Sequence, residues 1–296
     1  MTLVTISGLC KRYQQPVLQQ LSLTIVKGEP VALVGANGAG KTTLFGCIAG
    51  FFPFDAGEIN VLGQAPGSPK LVNRIGVLPQ DAKLNPNETI RNQLMFMAQL
   101  QGFNKRQARD ETDRVLALVG MQTSANSKPG QLSHGMAKRV AIAQALIGTP
   151  ELVLLDEPTA GLDPLNAREL RQLIQSLSDK VTFVISSHNL DELESLCRQV
   201  IYLEHGQVTR QLDLNAHQHS CLSLELCHDS ADAEQTLRAL AGVTQVSNTK
   251  NRLFIIEYDS NQAFALEQSI FELLASRGWQ YKLLMKGKTL EESLFG

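Results

Sequence analysis

The sequence predicts an α/β fold in two parts. A larger domain of parallel strands alternating with helices spans residues 1–215, and a small α+β domain spans residues 216–296. Three observations carry this expectation. Short apolar runs rich in branched residues, such as Val31–Val34 and Leu152–Leu155, read as strands buried on both faces. Helical stretches separate such runs along the chain as far as Leu203. After about Val208 the character shifts: the polar segment Asp213–Ser220 reads as a linker, and beyond it the elements follow the order βαββαβ.

Taken in order, residues 2–34 alternate in the manner of strands, most clearly at Leu21-Ser22-Leu23-Thr24-Ile25. A turn at Gly28–Pro30 leads into strand Val31–Val34, a glycine-rich loop and a helix from Thr42 to about Gly50. Residues 57–80 read as short strands and turns, Gly57–Val61 and Ile75–Leu78. From Thr89 to about Val119 the spacing turns helical. Met95, Leu100, Val115, Leu118 and Val119 mark apolar faces there, with Gly102 near a break. Ser133 begins a helix to Ile147. Strand Leu152–Leu155, helix Leu165–Leu177, strand Val181–Ile185, helix Leu190–Arg198 and strand Val200–Leu203 complete the alternating series. The tail reads as strand Leu222–Leu226, helix Ala231–Leu240, strands Val243–Ser247 and Leu253–Tyr258, helix Ala263–Arg277, strand Tyr281–Met285 and a short helix from Leu290. That order predicts a small ferredoxin-like domain.

The composition narrows the function classes. With 296 residues, 43% of them hydrophobic, a sizeable core is available, and a net charge of −2 gives no electrostatic reason to expect nucleic acid as a partner. No apolar run reaches the roughly 18 residues that a membrane span needs. The opening stretch MTLVTISGLCKRY lacks the features of a signal peptide. The chain is therefore expected to be cytoplasmic and to reach a membrane only by docking on another polypeptide. The five cysteines form no CxxC pair and read as core-filling thiols. His217, His219, Cys221, Cys227 and His228 could ligate a metal, but a solvated linker with buried thiols is the favoured reading of that stretch.

Two motifs carry chemistry. Gly35-Ala36-Asn37-Gly38-Ala39-Gly40-Lys41-Thr42 fits G-x-x-x-x-G-K-[ST] and sits between a strand and a helix. Glycines let successive N–H groups turn toward phosphate oxygens, and the helix adds the positive end of its dipole. Lys41 would reach the β- and γ-phosphates, and the Thr42 hydroxyl would ligate Mg²⁺. The second motif is an apolar strand ending in two carboxylates, Asp156-Glu157. Beside the phosphate loop, Asp156 would hold the metal and Glu157 would act as general base on the attacking water.

Further motifs give the chain a family resemblance. Leu132-Ser133-His134-Gly135-Met136 resembles the LSGGQ signature of ABC ATPases. Gly161-Leu162-Asp163-Pro164 resembles their D-loop, Ser187-His188 their switch histidine, Val77-Leu78-Pro79-Gln80 their Q-loop, and Lys11-Arg12-Tyr13 the place of an adenine-stacking ring. The match in order and spacing covers about residues 1–215. It implies a P-loop NTPase of the ABC type, with a RecA-like core, an antiparallel β subdomain and a helical subdomain, acting as the ATPase of a membrane transporter. The finer motifs look most like export-type subunits of the drug, sodium or lipid efflux kind and of copper-enzyme maturation. Under this resemblance Glu157, His188 and Gln80 are catalytic. Tyr13, Gly35, Asn37, Gly38, Gly40, Lys41, Thr42 and Thr43 bind ATP from one side, and Ser133, Gly135 and Asp163 from a second subunit. Thr42, Gln80 and Asp156 hold Mg²⁺. His188 would contact the γ-phosphate and hold Glu157. The expected partners are a second ATPase subunit, with a homodimer favoured, and integral membrane permease subunits; nucleic acid is not expected. The apolar face at Met95–Met97 is either core or a groove for the permease.

Two alternatives fit less of the sequence. An ABC-type ATPase acting on DNA or the ribosome would bring a coiled-coil insertion or a second cassette, and the chain has neither heptads nor a second phosphate loop. A phosphate-loop kinase leaves the signature, D-loop and switch histidine unexplained.

Overall fold

The computed structural model describes residues 1–188, 193, 196–213, 221–230, 232–248, 252–259 and 263–287, with side chains from 266 onward in the last of these stretches. The chain divides into two compact units, Met1–Gln211 and Leu212–Gly296.

The first unit opens with β1 (Thr2–Arg12), β2 (Pro16–Val26) and β3 (Val31–Val34). Helix α1 (Lys41–Ala49) follows β3, and β4 (Ala56–Val61) returns to the free edge of β1. These make a three-stranded antiparallel sheet in the order β2-β1-β4. A second sheet gathers β3 with β5 (Ile75–Leu78), β6 (Leu152–Asp156), β7 (Thr182–Ser187), β8 (Gln199–Glu204) and β9 (Gln207–Asp213), in the order β5-β6-β7-β3-β8-β9. The strands from β5 to β8 are paired in parallel. Every residue of β3, β6 and β7 is buried, as strands covered on both faces require. Leu3, Ile6, Leu21 and Leu23 of the antiparallel sheet share one apolar cluster with Leu44 and Ile48 of α1 and with Leu33, Leu154 and Val184 of the parallel sheet. Each such side chain contributes about 1.5–3 kcal/mol by leaving water, so α1 is clamped beneath the loop that precedes it.

Three helices lie between β5 and β6: α2 (Ile90–Leu100), α3 (Lys105–Leu118) and α4 (His134–Ala145). Each start is capped by the residue type that supplies a free oxygen. Thr89 caps α2 and Ser133 caps α4, while Asn104 and Gln107 form a reciprocal capping box on α3. Helix α5 (Pro164–Leu177) begins at Pro164, with Asp163 as its cap.

The second unit comprises β10 (Cys221–Leu226), α6 (Ala233–Arg238), β11 (Val243–Asn248), β12 (Leu253–Tyr258), α7 (Ala263–Arg277) and β13 (Tyr281–Lys286). Its four antiparallel strands lie in the order β11-β12-β10-β13, the arrangement of a split-βαβ domain. Leu222, Leu224, Phe254, Ile256, Leu266 and Ile270 form its core.

The structure departs from the sequence expectations at a few places. Strand β9 was not expected, because QVTRQLD is an edge strand almost wholly exposed and carries no apolar alternation. Asp213, expected to open the linker, is its last residue. Leu100, read as part of an apolar face, is 67% exposed; α2 instead buries Ile90, Leu94 and Ala98. Phe96 is exposed on the same helix, with Met95 and Met97 half-buried. Cys47, Cys197 and Cys221 are buried as expected of core thiols, but Cys10 and Cys227 are half-buried. Burial pushes the Cys47 and Cys197 thiols well above their ordinary range, as for inert thiols. Of the expected helix 190–198, most falls outside the described residues; Leu193 is helical, its carbonyl accepting from the Cys197 N–H at 2.8 Å, while Leu196–Arg198 are not helical. The polar linker with His217 and His219, and the terminal helix from Leu290, also lie outside them.

Candidate nucleotide site

The parallel sheet places the site. Val34 pairs with Ser187 and Asp156 with Ser186, so the carboxyl ends of β3, β6 and β7 lie side by side. Loops leaving those ends converge on one crevice, where open α/β sheets bind ligands. The phosphate loop leaves β3, the acidic pair ends β6, and His188 follows β7.

Gly35 must be glycine for a reason of packing. A Cβ there would lie 2.3 Å from the backbone oxygen of Leu203 on β8, a clash with an immovable atom. Gly40 caps α1 with φ +110°, a backbone region that L side chains rarely adopt.

Inside the loop, the Lys41 ammonium donates to the carbonyls of Gly35 at 2.6 Å and Ala36 at 3.3 Å. It also lies 3.8 Å from Glu157 Oε1, and both side chains are buried. The Thr42 hydroxyl donates to Asp156 Oδ2 at 2.6 Å. The other oxygen of Asp156 accepts a short hydrogen bond from the Ser186 hydroxyl. The Ser186 oxygen in turn accepts from the Glu157 backbone N–H at 2.9 Å. Glu157 needs that support, because its φ of +48° is left-handed, a strain of about 1–2 kcal/mol for a residue with a Cβ. The strain turns its carboxylate into the crevice. His188 Nδ1 lies 3.1 and 3.0 Å from the two Glu157 oxygens. With Glu157 ionised, only the histidine can donate, which fixes Nδ1 as the protonated nitrogen.

A cavity of about 470 Å³ opens onto this cluster and is lined by Tyr13, Val17, Asn37, Gly38, Gly40, Lys41, Thr42, Thr43, Gln80, Asp156 and Glu157. Ten of the residues picked from the sequence thus line one cavity. Gly35 lies beneath it as the acceptor for Lys41, and His188 reaches it through Glu157. Tyr13 follows β1, is 55% exposed, and has the Lys11 ammonium 4.9 Å from its ring centroid. A larger groove of about 610 Å³ also touches Tyr13, but its lining holds no phosphate-loop residue and neither Asp156 nor Glu157, so the smaller cavity is the candidate for the chemistry.

Ser133, Gly135 and Asp163 do not line the cavity. The Ser133 oxygen accepts from Met136 N–H at 3.2 Å, and Ser133 and His134 are exposed at the start of α4. Asp163 accepts from the N–H groups of Leu165 at 3.1 Å and Asn166 at 3.0 Å, and Asn166 Nδ2 donates to its second oxygen. The Asn166 side chain leads the interactions that hold the Asp163 carboxyl below its usual range. Lys138, about one turn into α4, is pushed down by burial and pulled back up by Glu157 and Asp81.

Val17 lines the cavity and Ser186 bonds both acidic residues, and the motifs singled out neither. Ser186 did leave a signal: two serines follow the apolar run Phe183–Ile185 in a fully buried strand, and a buried hydroxyl needs partners.

Residues 18–160 match the ABC transporter family. The chain is 32% identical over 275 residues to the uncharacterized ABC transporter ATP-binding protein YhaQ of Bacillus subtilis, covering 92% of this chain and 90% of that protein. It is 35% identical over 216 residues to the bacitracin transport ATP-binding protein BcrA of Bacillus licheniformis, 71% of this chain and 70% of the relative. It is also similar to a solved dimeric ATP-binding cassette in a post-hydrolysis state with ADP and Pi, with a TM-score of 0.64 and 27% identity over 72% of this chain and 99% of that one.

Proposed function

We propose that this chain, which belongs to the ABC transporter ATP-binding proteins, hydrolyses Mg²⁺-ATP between two copies of itself and thereby drives a membrane permease, in the direction of export. The chain is an ATP-binding, ATP-hydrolysing transporter subunit; the pairing, the metal, the site residues and the export direction are the proposal. One observation carries it: Lys41, Thr42, Asp156 and Glu157 meet in one cavity, while Ser133 is exposed elsewhere on the unit.

The residues fit the group they would hold. The Thr42 hydroxyl and the Asp156 carboxylate, 2.6 Å apart, are hard oxygen donors of the kind Mg²⁺ selects. Gln80 adds a third at the cavity wall. When bound, the ion neutralises charge on the phosphates. The chain's own groups do the rest. Lys41 gives up its loop carbonyls for phosphate oxygens, and the N–H groups after Gly38 add donors at the start of α1. Glu157, strained and buried, is aimed to take the proton of an attacking water, and His188 keeps it oriented. Tyr13 offers a ring for the base.

The likeness to BcrA and to the Nod factor export ATP-binding protein I of Rhizobium, 35% identical over 209 residues, supports export as the direction. Among the described residues, no helix is long and apolar enough to cross a membrane. Docking on a permease would bring the chain to the inner face of the cell membrane. Phe96 and Leu100 lie one turn apart on α2, 57% and 67% exposed, and suit such a contact. Changing both to glutamate is expected to leave ATP hydrolysis by the purified chain within about twofold, as for exposed positions that do not line the cavity. The tagged chain should then move from the membrane fraction of the cell to the soluble one. A double variant that still sediments with membranes would remove α2 as the docking face.

The two domains are read as separable, with the boundary near residue 215. A chain ending after Asp213 should fold and bind ATP with near-unchanged affinity in a calorimetric titration, since every cavity residue precedes it. Loss of binding would contradict that boundary. Among the described residues no group of three or more His, Cys, Asp or Glu could hold a metal; His217 and His219 lie outside them.

A further inference from the structure

Asn166 stands where the two outward-facing motifs of the first unit meet. Its amide nitrogen donates to one oxygen of Asp163, and its backbone N–H donates to the other at 3.0 Å. Its amide oxygen faces the signature segment: a Cβ built on Gly135 would lie 2.3 Å from Asn166 Oδ1 and 2.8 Å from its Cγ. So the Asn166 side chain lies against Gly135, which is buried, and leaves room there for a hydrogen atom alone. A second tie runs parallel to it, the Arg139–Glu169 ion pair at 2.8 Å between α4 and α5. Neither Asp163 nor Ser133 lines the chain's own cavity.

We propose that Asn166 is a positioning residue that fastens the Asp163 loop to the Ser133–Gly135 segment, so that both are presented to the partner's nucleotide as one rigid edge. This rests on the paired reading above. A fork that donates to Asp163 with one arm and packs Gly135 with the other transmits displacement between them. Any shift of the start of α5 on binding the partner must move the start of α4 with it. The geometry also gives a reason for glycine at position 135, which the flanking His134 does not share, since it is exposed.

The test compares N166A and N166D in the full chain. N166A removes the donor and opens space. N166D keeps the shape but sets a carboxylate against Asp163. In the wild-type background, kcat is expected to fall about tenfold in N166A, the worth of one charge-assisted hydrogen bond, and further in N166D. KM for ATP and the melting temperature should stay near the wild-type values. In an E157Q background, the ATP concentration needed to form dimers on a sizing column should rise in the same order. Unchanged kcat and unchanged dimer formation in both variants would overturn the assignment of Asn166 while leaving the paired reading intact. A lowered melting temperature with a raised KM would also overturn it, showing a role in the fold alone. If E157Q itself forms no ATP-dependent dimer, the paired reading fails, and the proposal with it.

Discussion

Glu157→Gln is expected to lower ATP turnover by a factor of about 10²–10⁴, the usual contribution of a general base, while ATP binding persists. The amide has nearly the same shape as the carboxylate, so the left-handed turn at φ +48° and the Ser186 support at 2.9 Å should remain. What disappears is the basic oxygen pair that faces His188 at 3.0 and 3.1 Å and would accept the water's proton. The Lys41 ammonium also loses its buried counter-charge at 3.8 Å. It therefore becomes freer to pair with phosphate, so affinity for ATP should hold or rise. Single-turnover phosphate release alongside equilibrium ATP binding checks both halves. Turnover within a few-fold of wild type would place the general base elsewhere.

Ser133→Arg should stop turnover by a different route. Ser133 is exposed and absent from the cavity lining, so an arginine can project into solvent without disturbing Lys41, Thr42 or Asp156. Losing the cap on α4, now made through Met136 N–H at 3.2 Å, costs about 1 kcal/mol of stability. A folded monomer should therefore bind ATP as the wild type does. Turnover should nonetheless fall by about a hundredfold or more, because a bulky side chain would replace the hydroxyl and obstruct the N–H donors offered to the partner's nucleotide. Weakened ATP binding by the monomer would instead mean that Ser133 serves its own chain.

The sequence made some of this legible and hid the rest for physical reasons. The phosphate loop could be read because its chemistry is local: one strand, one turn and one helix start hold its donor groups, and Gly40 is demanded by its own backbone geometry. The acidic pair was legible because charge at the end of a wholly apolar strand has few structural uses. Their meeting, across more than a hundred residues of chain, follows from parallel pairing of β6, β7 and β3. Periodicity can suggest that pairing but not its order. Ser186 escaped notice because its role depends on lying beside Asp156 in the neighbouring strand. Asn166 escaped for the same reason, since its partner Gly135 is distant in sequence. On α2, apolar residues occupy both the core face and the exposed face, so the pattern alone could not say that Leu94 packs inward while Phe96 and Leu100 point out. Edge strand β9 has one side free of a neighbour and needs little apolar surface, so it carries no hydrophobic signature.

The central claim is that each active site is built from two copies of the chain, the phosphate loop of one and the Ser133 segment of the other. Mixing two inactive proteins, Lys41→Ala and Ser133→Arg, tests it most directly. A mixed pair holds one site with both defects and one with neither. ATPase activity of an equimolar mixture should therefore recover to roughly a quarter of wild type, if pairs form at random about a two-fold axis and each site works alone. A mixture as inactive as its two components would contradict the account.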